Sequence, residues 1–150
     1  MLGPNERYFL DERLVSGRTK FDDVFTDFPQ IKPFDRRDTY SIWEVRFQEG
    51  EFNIGNVPIT FVSLNFLGDT LATMNGPFPP PESLETVTRY FQESFGSESS
   101  TDWANGQSEA HLFQRRGMKS WTCKIVHVEL QRQFRAAVLA AKRERAAMSW

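Results

Sequence analysis

The clearest pattern in the chain is a strict alternation. From Ile59 to Phe66 the sequence reads Ile-Thr-Phe-Val-Ser-Leu-Asn-Phe, rich in β-branched and aromatic residues that suit a pleated, half-buried surface. Thr60, Val62, Leu64 and Phe66 point one way and Ile59, Phe61, Ser63 and Asn65 the other. Leu67-Gly68-Asp69 supplies a turn and Thr70 to Met74 returns, which predicts a β-hairpin inside a larger antiparallel sheet. Tyr40 to Gln48 alternates in the same way, with Trp43, Val45 and Phe47 set against Glu44 and Arg46. Ala110 to Arg115 and Lys119 to Leu130 predict a second hairpin around Arg116-Gly117. In its last strand the apolar side switches from Trp121, Cys123 and Ile125 to Val126, Val128 and Leu130, and a β-bulge near Ile125 would account for the switch.

Other segments carry the helical period. Phe21, Val24, Phe25 and Phe28 fall at i, i+3, i+4 and i+7, with Thr19 as the expected cap, Asp22 and Asp23 in the first turn and Pro29 as the stop. Leu84, Val87, Phe91 and Phe95 predict a helix over 82–95, with Gly96 after it. Asn5 can cap a helix running to Val15 and closed by Ser16-Gly17, although the same run also fits an edge strand. The Ala-rich tail, residues 131–150, predicts a basic C-terminal helix with Phe134, Val138 and Ala141 on its inner side and little to bury beyond.

Between these elements lie connections. Residues 29–39, with Pro29, Pro33 and Asp35-Arg-Arg-Asp38, are expected to form a solvated loop, and residues 49–56 a polar link. Asn75-Gly-Pro-Phe-Pro-Pro-Pro81 is expected to break the chain as a stiff, extended lead into the next helix rather than as a docking site. Trp103 is an apolar island in a polar stretch. It fits a short strand facing the core, and as a Trp it also fits an interface anchor.

The elements assemble into one α+β domain over residues 1–150, an antiparallel sheet of about six strands with helices on one face, plus the C-terminal helix. The order helix-strand-strand-strand recurs, with Trp43 and Trp103 in the first strands and Gly68 and Gly117 in the hairpins, a layout open to a tandem α-β-β-β duplication. In that layout the chain resembles the tandem-repeat β-lactamase inhibitor proteins and the small outer-membrane assembly lipoproteins. No residue motif accompanies the resemblance and no functional residue is carried over. The lipoprotein type also has a signal peptide and a lipidated Cys, neither of which this sequence displays.

Charge sharpens the picture. Residues 1–110 hold nine Lys and Arg against eighteen Asp and Glu, a net −9, and residues 111–150 hold nine against two, a net +7, which together give the overall −2. Such polarity either pairs within the fold or steers a charged partner. The 14 Phe and 4 Trp argue against disorder, and no apolar run is long enough for a membrane-spanning helix. The single Cys123 forbids an internal disulfide and fits a reducing, cytoplasmic setting.

Chemistry is sparse. If the second hairpin closes on a three-residue loop, Arg116 to Met118, His111 and Cys123 lie opposite each other on one face, where an imidazole could activate a thiol. His127 would be a third ligand for a metal, poorly converged on a flat sheet. A one-residue shift in register separates the pair, and a buried free thiol with ordinary strand histidines is the favoured reading. Glu44, Glu49 and Glu51 do not make an acid–base pair, and no phosphate loop, CxxC, GxSxG or HExxH is present. No cofactor or metal is expected.

The expected function is therefore a non-catalytic protein-interaction domain, an inhibitor or immunity protein, or an effector chaperone, that binds and blocks a partner protein. Trp103, Phe78 and Arg116 are the expected anchors and Asp102 and Glu98 the expected polar contacts. The alternatives are a small-molecule-binding or enzymatic domain with a pocket between sheet and helices, and nucleic-acid binding through Arg115, Arg116, Lys119, Lys124 and the tail arginines. Against the last stands a sequence pI of about 5.7.

Overall fold

The alternating segments pair as their periodicity demands. The computed structural model describes residues 8–9, 11–48, 51–54, 57–78, 84–95, 102–105 and 107–148. In chain order it places β1 (Tyr8–Phe9), β2 (Asp11–Val15), α1 (Phe21–Asp27), β3 (Lys32–Arg36), β4 (Tyr40–Arg46), β5 (Asn53–Ile54), β6 (Val57–Pro58), β7 (Phe61–Leu67), β8 (Thr70–Phe78), α2 (Leu84–Phe95), β9 (Asp102–Asn105), β10 (Ser108–Gln114), β11 (Trp121–His127) and α3 (Val128–Met148). Seven strands rather than six form one open antiparallel sheet in the order β3-β4-β7-β8-β11-β10-β9. Two outer meanders thus meet at their last strands, β8 and β11, in the middle.

One face of this sheet is sealed by aromatic packing. Trp43 and Val45, Val62, Leu64 and Phe66, Met74 and Phe78, Cys123 and Ile125, and Ala110 and Leu112 form a continuous buried cluster with Val24 of α1 and Val87 and Phe91 of α2. Phe21 of α1 stacks within 4.6 Å of Trp43 and meets Phe66 edge-on at 5.4 Å. Trp103 lies along Phe91 at 5.6 Å. Of the α1 stripe, Phe25 departs: it is 52% exposed.

The C-terminal helix takes the other face, so the helices are not all on one side. Tyr40 points away from Trp43 and meets Phe134 of α3 edge-on at 5.3 Å, and Thr73 donates a hydrogen bond to Gln131. Val126, only 4% exposed, is covered by the same helix. This removes the need for a bulge near Ile125. The register of β11 runs unbroken on both sides, Val126 is apolar because α3 covers it, and Val128 and Leu130 already belong to the helix. The bulge lies instead on β8. Asn65 pairs with Thr73 and Phe66 with Leu71, which leaves Ala72 as the extra residue and lets Leu71 and Met74 both face the core.

Local chemistry explains the other departures. The N-terminal run is strand, not helix: β2 pairs with β1, and residues 17–21 bond along the start of β8 through Gly17 N–H to Leu71 O, Leu71 N–H to Thr19 O and Phe21 N–H to Asp69 O. Thr19 does not cap α1. Its hydroxyl accepts from Val15 N–H and donates to Arg13 O, and Lys20 holds the cap position without a side-chain bond. Residues 32–36, expected as loop, form an edge strand, a place where Pro33 is tolerated. The break expected at Asn75 comes later, because β8 continues to Phe78. Its pairing with β7 ends at Asn75, so Pro77 is not asked to donate on that side. Lys142 to Ala147 are exposed, as expected for the end of the tail.

Candidate functional site

The α3 side of the sheet is only partly covered. α3 lies over the Tyr40, Thr73 and Val126 end, and the opposite end leaves strand side chains facing outward. Here the alternation of β10 and β11 works in reverse: Glu109, His111 and Phe113, and Thr122, Lys124 and Val126, share this face because Ala110, Leu112, Cys123 and Ile125 take the other. Two depressions follow β11. One, of about 160 Å³, is lined by Phe61, Asn75, Pro77, Arg115, Met118 and Thr122 among others. The next, of about 390 Å³, lies against α3 and takes in Glu109, His111, Lys124, Val126, Gln131 and Arg135.

Cross-strand register sets the chemistry. Asp102, His111 and Lys124 stand side by side on β9, β10 and β11. His111 Nδ1 lies 2.7 Å from Asp102 Oδ1 and its Nε2 lies 3.2 Å from Glu109 Oε2, so both ring nitrogens face carboxylates. Among the described residues Lys124 makes no such ion pair. Desolvation lowers its pKa from the ordinary lysine value, and repulsion from Arg135 and Arg115 lowers it further. At the groove's rim, Arg132 and Gln133 donate to Glu129, holding that carboxyl down at about 2. Arg46 sits over the Phe61 ring at 5.0 Å from its centroid.

The His111–Cys123 pairing does not form. His111 stands opposite Lys124, and Cys123 opposite Leu112, because the β10–β11 connection spans residues 115–120 between paired Gln114 and Trp121. Gln114 braces that connection by donating to the carbonyls of Met118 and Lys119. Cys123 therefore faces the sealed core. Burial pushes its thiol well above the ordinary range, against the opposing effect of its bonds to backbone, and Sγ–H donates to Gly76 O at 3.4 Å. His127 serves as a cap: its Nδ1 accepts the Leu130 N–H at the start of α3, at 3.2 Å. Among the described residues no group of three or more His, Cys, Asp or Glu is placed to hold a metal ion.

The expected partner-contact residues separate. Phe78, 0% exposed, and Trp103, 5% exposed, are packed into the core and are not available as surface anchors. The apolar island around Trp103 is explained by its stacking on Phe91. Arg116 is exposed in the β10–β11 connection, and Asp102 is exposed on β9 beside His111. Glu98 lies outside the described residues. Phe61, Phe113 and Met118 lie on this face and are not among the expected contact residues. The signal for the first two was the polar side of each alternation, where a lone Phe interrupts charged and hydroxyl residues.

Among the described residues no helix is long and apolar enough to cross a membrane. Compared with known proteins, the chain matches no family model, no curated protein and no solved structure.

Proposed function

We propose that the protein is a non-catalytic interaction domain that binds and blocks a partner protein, as an inhibitor or immunity protein or an effector chaperone does. The observation that carries this reading is the uncovered part of the α3-side sheet face. Phe61, Phe113, Pro77 and Met118 there are interleaved with Arg46, Arg115 and Lys124. Half-buried aromatics beside arginines on a rigid sheet are the composition of protein-binding hot spots. Arg116 and Asp102 border the face and remain in the proposed contact surface. The acidic remainder of the chain would orient the partner, and the basic patch would fix it.

The tandem α-β-β-β layout belongs to the same proposal. In each half a helix on the sealed face precedes the sheet strands, which end on a central strand, β8 or β11, although the first half contributes four strands to the sheet and the second three. The proposal sets the protein in the cytoplasm, where its lone thiol stays reduced.

Site-specific cross-linking tests it. A photoreactive phenylalanine analogue at Phe113 is expected to trap one protein in cells of the source organism, while the same analogue at Phe34, 70% exposed at the far edge of the sheet, traps none. The trapped protein's own activity should fall on titration with the purified chain. Equal trapping at both positions, or none at Phe113, overturns the reading.

A second reading has one observation in its favour. Lys124, desolvated and with a lowered pKa in a groove beside His111, has the character of a reactive or small-molecule-binding residue. Imine trapping with borohydride and simple aldehydes, selective for Lys124, would favour that alternative.

A further inference from the structure

Three cations flank the same stretch of β11, two in one groove and the third in the depression beside it. Lys124 and Arg135 line the larger depression, Arg115 lines the adjoining one, and the same two arginines raise the positive potential at the Lys124 ammonium. Among the described residues none of these three side chains makes an ion pair or a hydrogen bond. The nearby carboxylates are engaged elsewhere: Glu109 and Asp102 on His111, and Glu129 on Arg132. A half-buried ammonium with two guanidinium neighbours and, among the described residues, no ion-paired carboxylate of its own costs free energy in the empty fold. An anion arriving from outside relieves that cost, and the low local dielectric strengthens its binding.

We propose that Lys124 and Arg135, which line one groove, with Arg115 flanking them in the adjoining depression, form a site for a single oxyanionic group, a carboxylate or a phosphate, presented by the side chain of the bound protein. The identity of the carrier rests on the reading above; the charge of the ligand does not. Guanidinium forks match the paired oxygens of either group, and Lys124 adds a point charge from the floor. The carboxylates around the groove argue against an extended polyanion. Glu109 lines the same groove, and Asp102 and Glu129 border it through His111 and Arg132, so a repeating phosphate chain would run into negative charge. Val126 and Val128 on the groove wall would meet the apolar stem of the side chain that carries the oxyanion.

The test is a titration of the full chain followed by NMR of backbone amides and of the Lys and Arg side chains. Inorganic phosphate and, separately, acetate are added at constant ionic strength, with chloride as the reference. Saturable shifts centred on Lys124, Arg115 and Arg135 are expected with at least one of the two, and which one responds more tightly separates phosphate from carboxylate. Lys124→Met, which keeps the stem and removes the charge, is expected to weaken binding at least tenfold. Arg135→Gln serves as the second variant should the first fail to fold, and both are checked by circular dichroism. Shifts that chloride reproduces, or that persist in both variants, overturn the proposal. So does tight binding of a dT12 oligonucleotide whose salt dependence demands neutralisation of several phosphates, which would point to nucleic acid. Oxyanion binding with no cross-linked protein at Phe113 would leave this site standing and remove the protein partner. Cross-linking left unchanged by Lys124→Met, without oxyanion binding, would do the reverse.

Discussion

On β11, neighbours lead different lives. Cys123 and Ile125 have no solvent contact and sit among Met74, Leu112 and Phe66, while Lys124 between them borders an open groove beside His111 and Arg135. The same contrast runs across the whole sheet. The face toward α1 and α2 is filled with rings and branched chains, and two polar atoms on it, Trp43 Nε1 and Trp103 Nε1, are buried without a hydrogen-bond partner among the described residues. The face toward α3 keeps its charges and meets its helix mainly at Tyr40, Thr73 and Val126. Stability is therefore concentrated on one side and adaptability on the other, although every strand contributes to both. A binding face can change its charges without endangering the fold only if the other face carries most of the burial.

That division can be broken from the strong side first. Phe66→Ala removes a fully buried ring that touches Phe21, and a loss of about 3–5 kcal/mol is expected in urea unfolding. Phe134→Ala, on the α3 side, should cost less, about 2 kcal/mol, because the helix can settle toward Tyr40 and water already reaches its flanks. Equal losses from the two substitutions would erase the asymmetry.

Lys124→Met should change stability at pH 7 by no more than about 1 kcal/mol. Its effect is sharper in alkaline solution. Because the folded state holds the Lys124 pKa below 10.5, the unfolded chain binds more protons there. Folding stability carried by this group therefore rises with pH from the folded value up to 10.5, and the substitution should abolish that component in paired denaturation curves. The smallest effect is expected at Glu129, exposed in the first turn of α3. Its carboxyl is held at about 2, so its contribution is complete above 4.5 and lost as pH falls toward 2. Glu129→Gln should flatten that acid-side loss of helical circular dichroism and change little at neutral pH.

Much of the sealed face could be read from residue order. Val62, Leu64 and Phe66 declare a buried side by period 2, Val87 and Phe91 do so by period 3.6, and both are where those periods put them. What escaped was parity. His111 and Cys123 were separable only by knowing that the β10–β11 connection has an even number of residues, and one residue decides which face each side chain takes. The start of α3 escaped for a related reason: Val126, Val128 and Leu130 alternate like a strand, and only the helix folding back over Val126 ends the alternation. Thr19 looked like a cap because nothing local reveals that its hydroxyl is committed to Val15 and Arg13. The candidate face was least legible of all, since its residues are the ones a core-seeking pattern discards.

The central seam between β8 and β11 has a consequence for synthesis. Its two strands pair Met74 with Ile125 and Phe78 with Trp121, partners far apart along the chain. When the ribosome has released residues through Phe78, one edge of β8 from Thr73 to Phe78 still has no strand beside it, and Met74 and Phe78 await α2 and β11. The nascent first half is thus a sheet with a raw apolar edge, open to wrong pairings until the last third of the chain emerges.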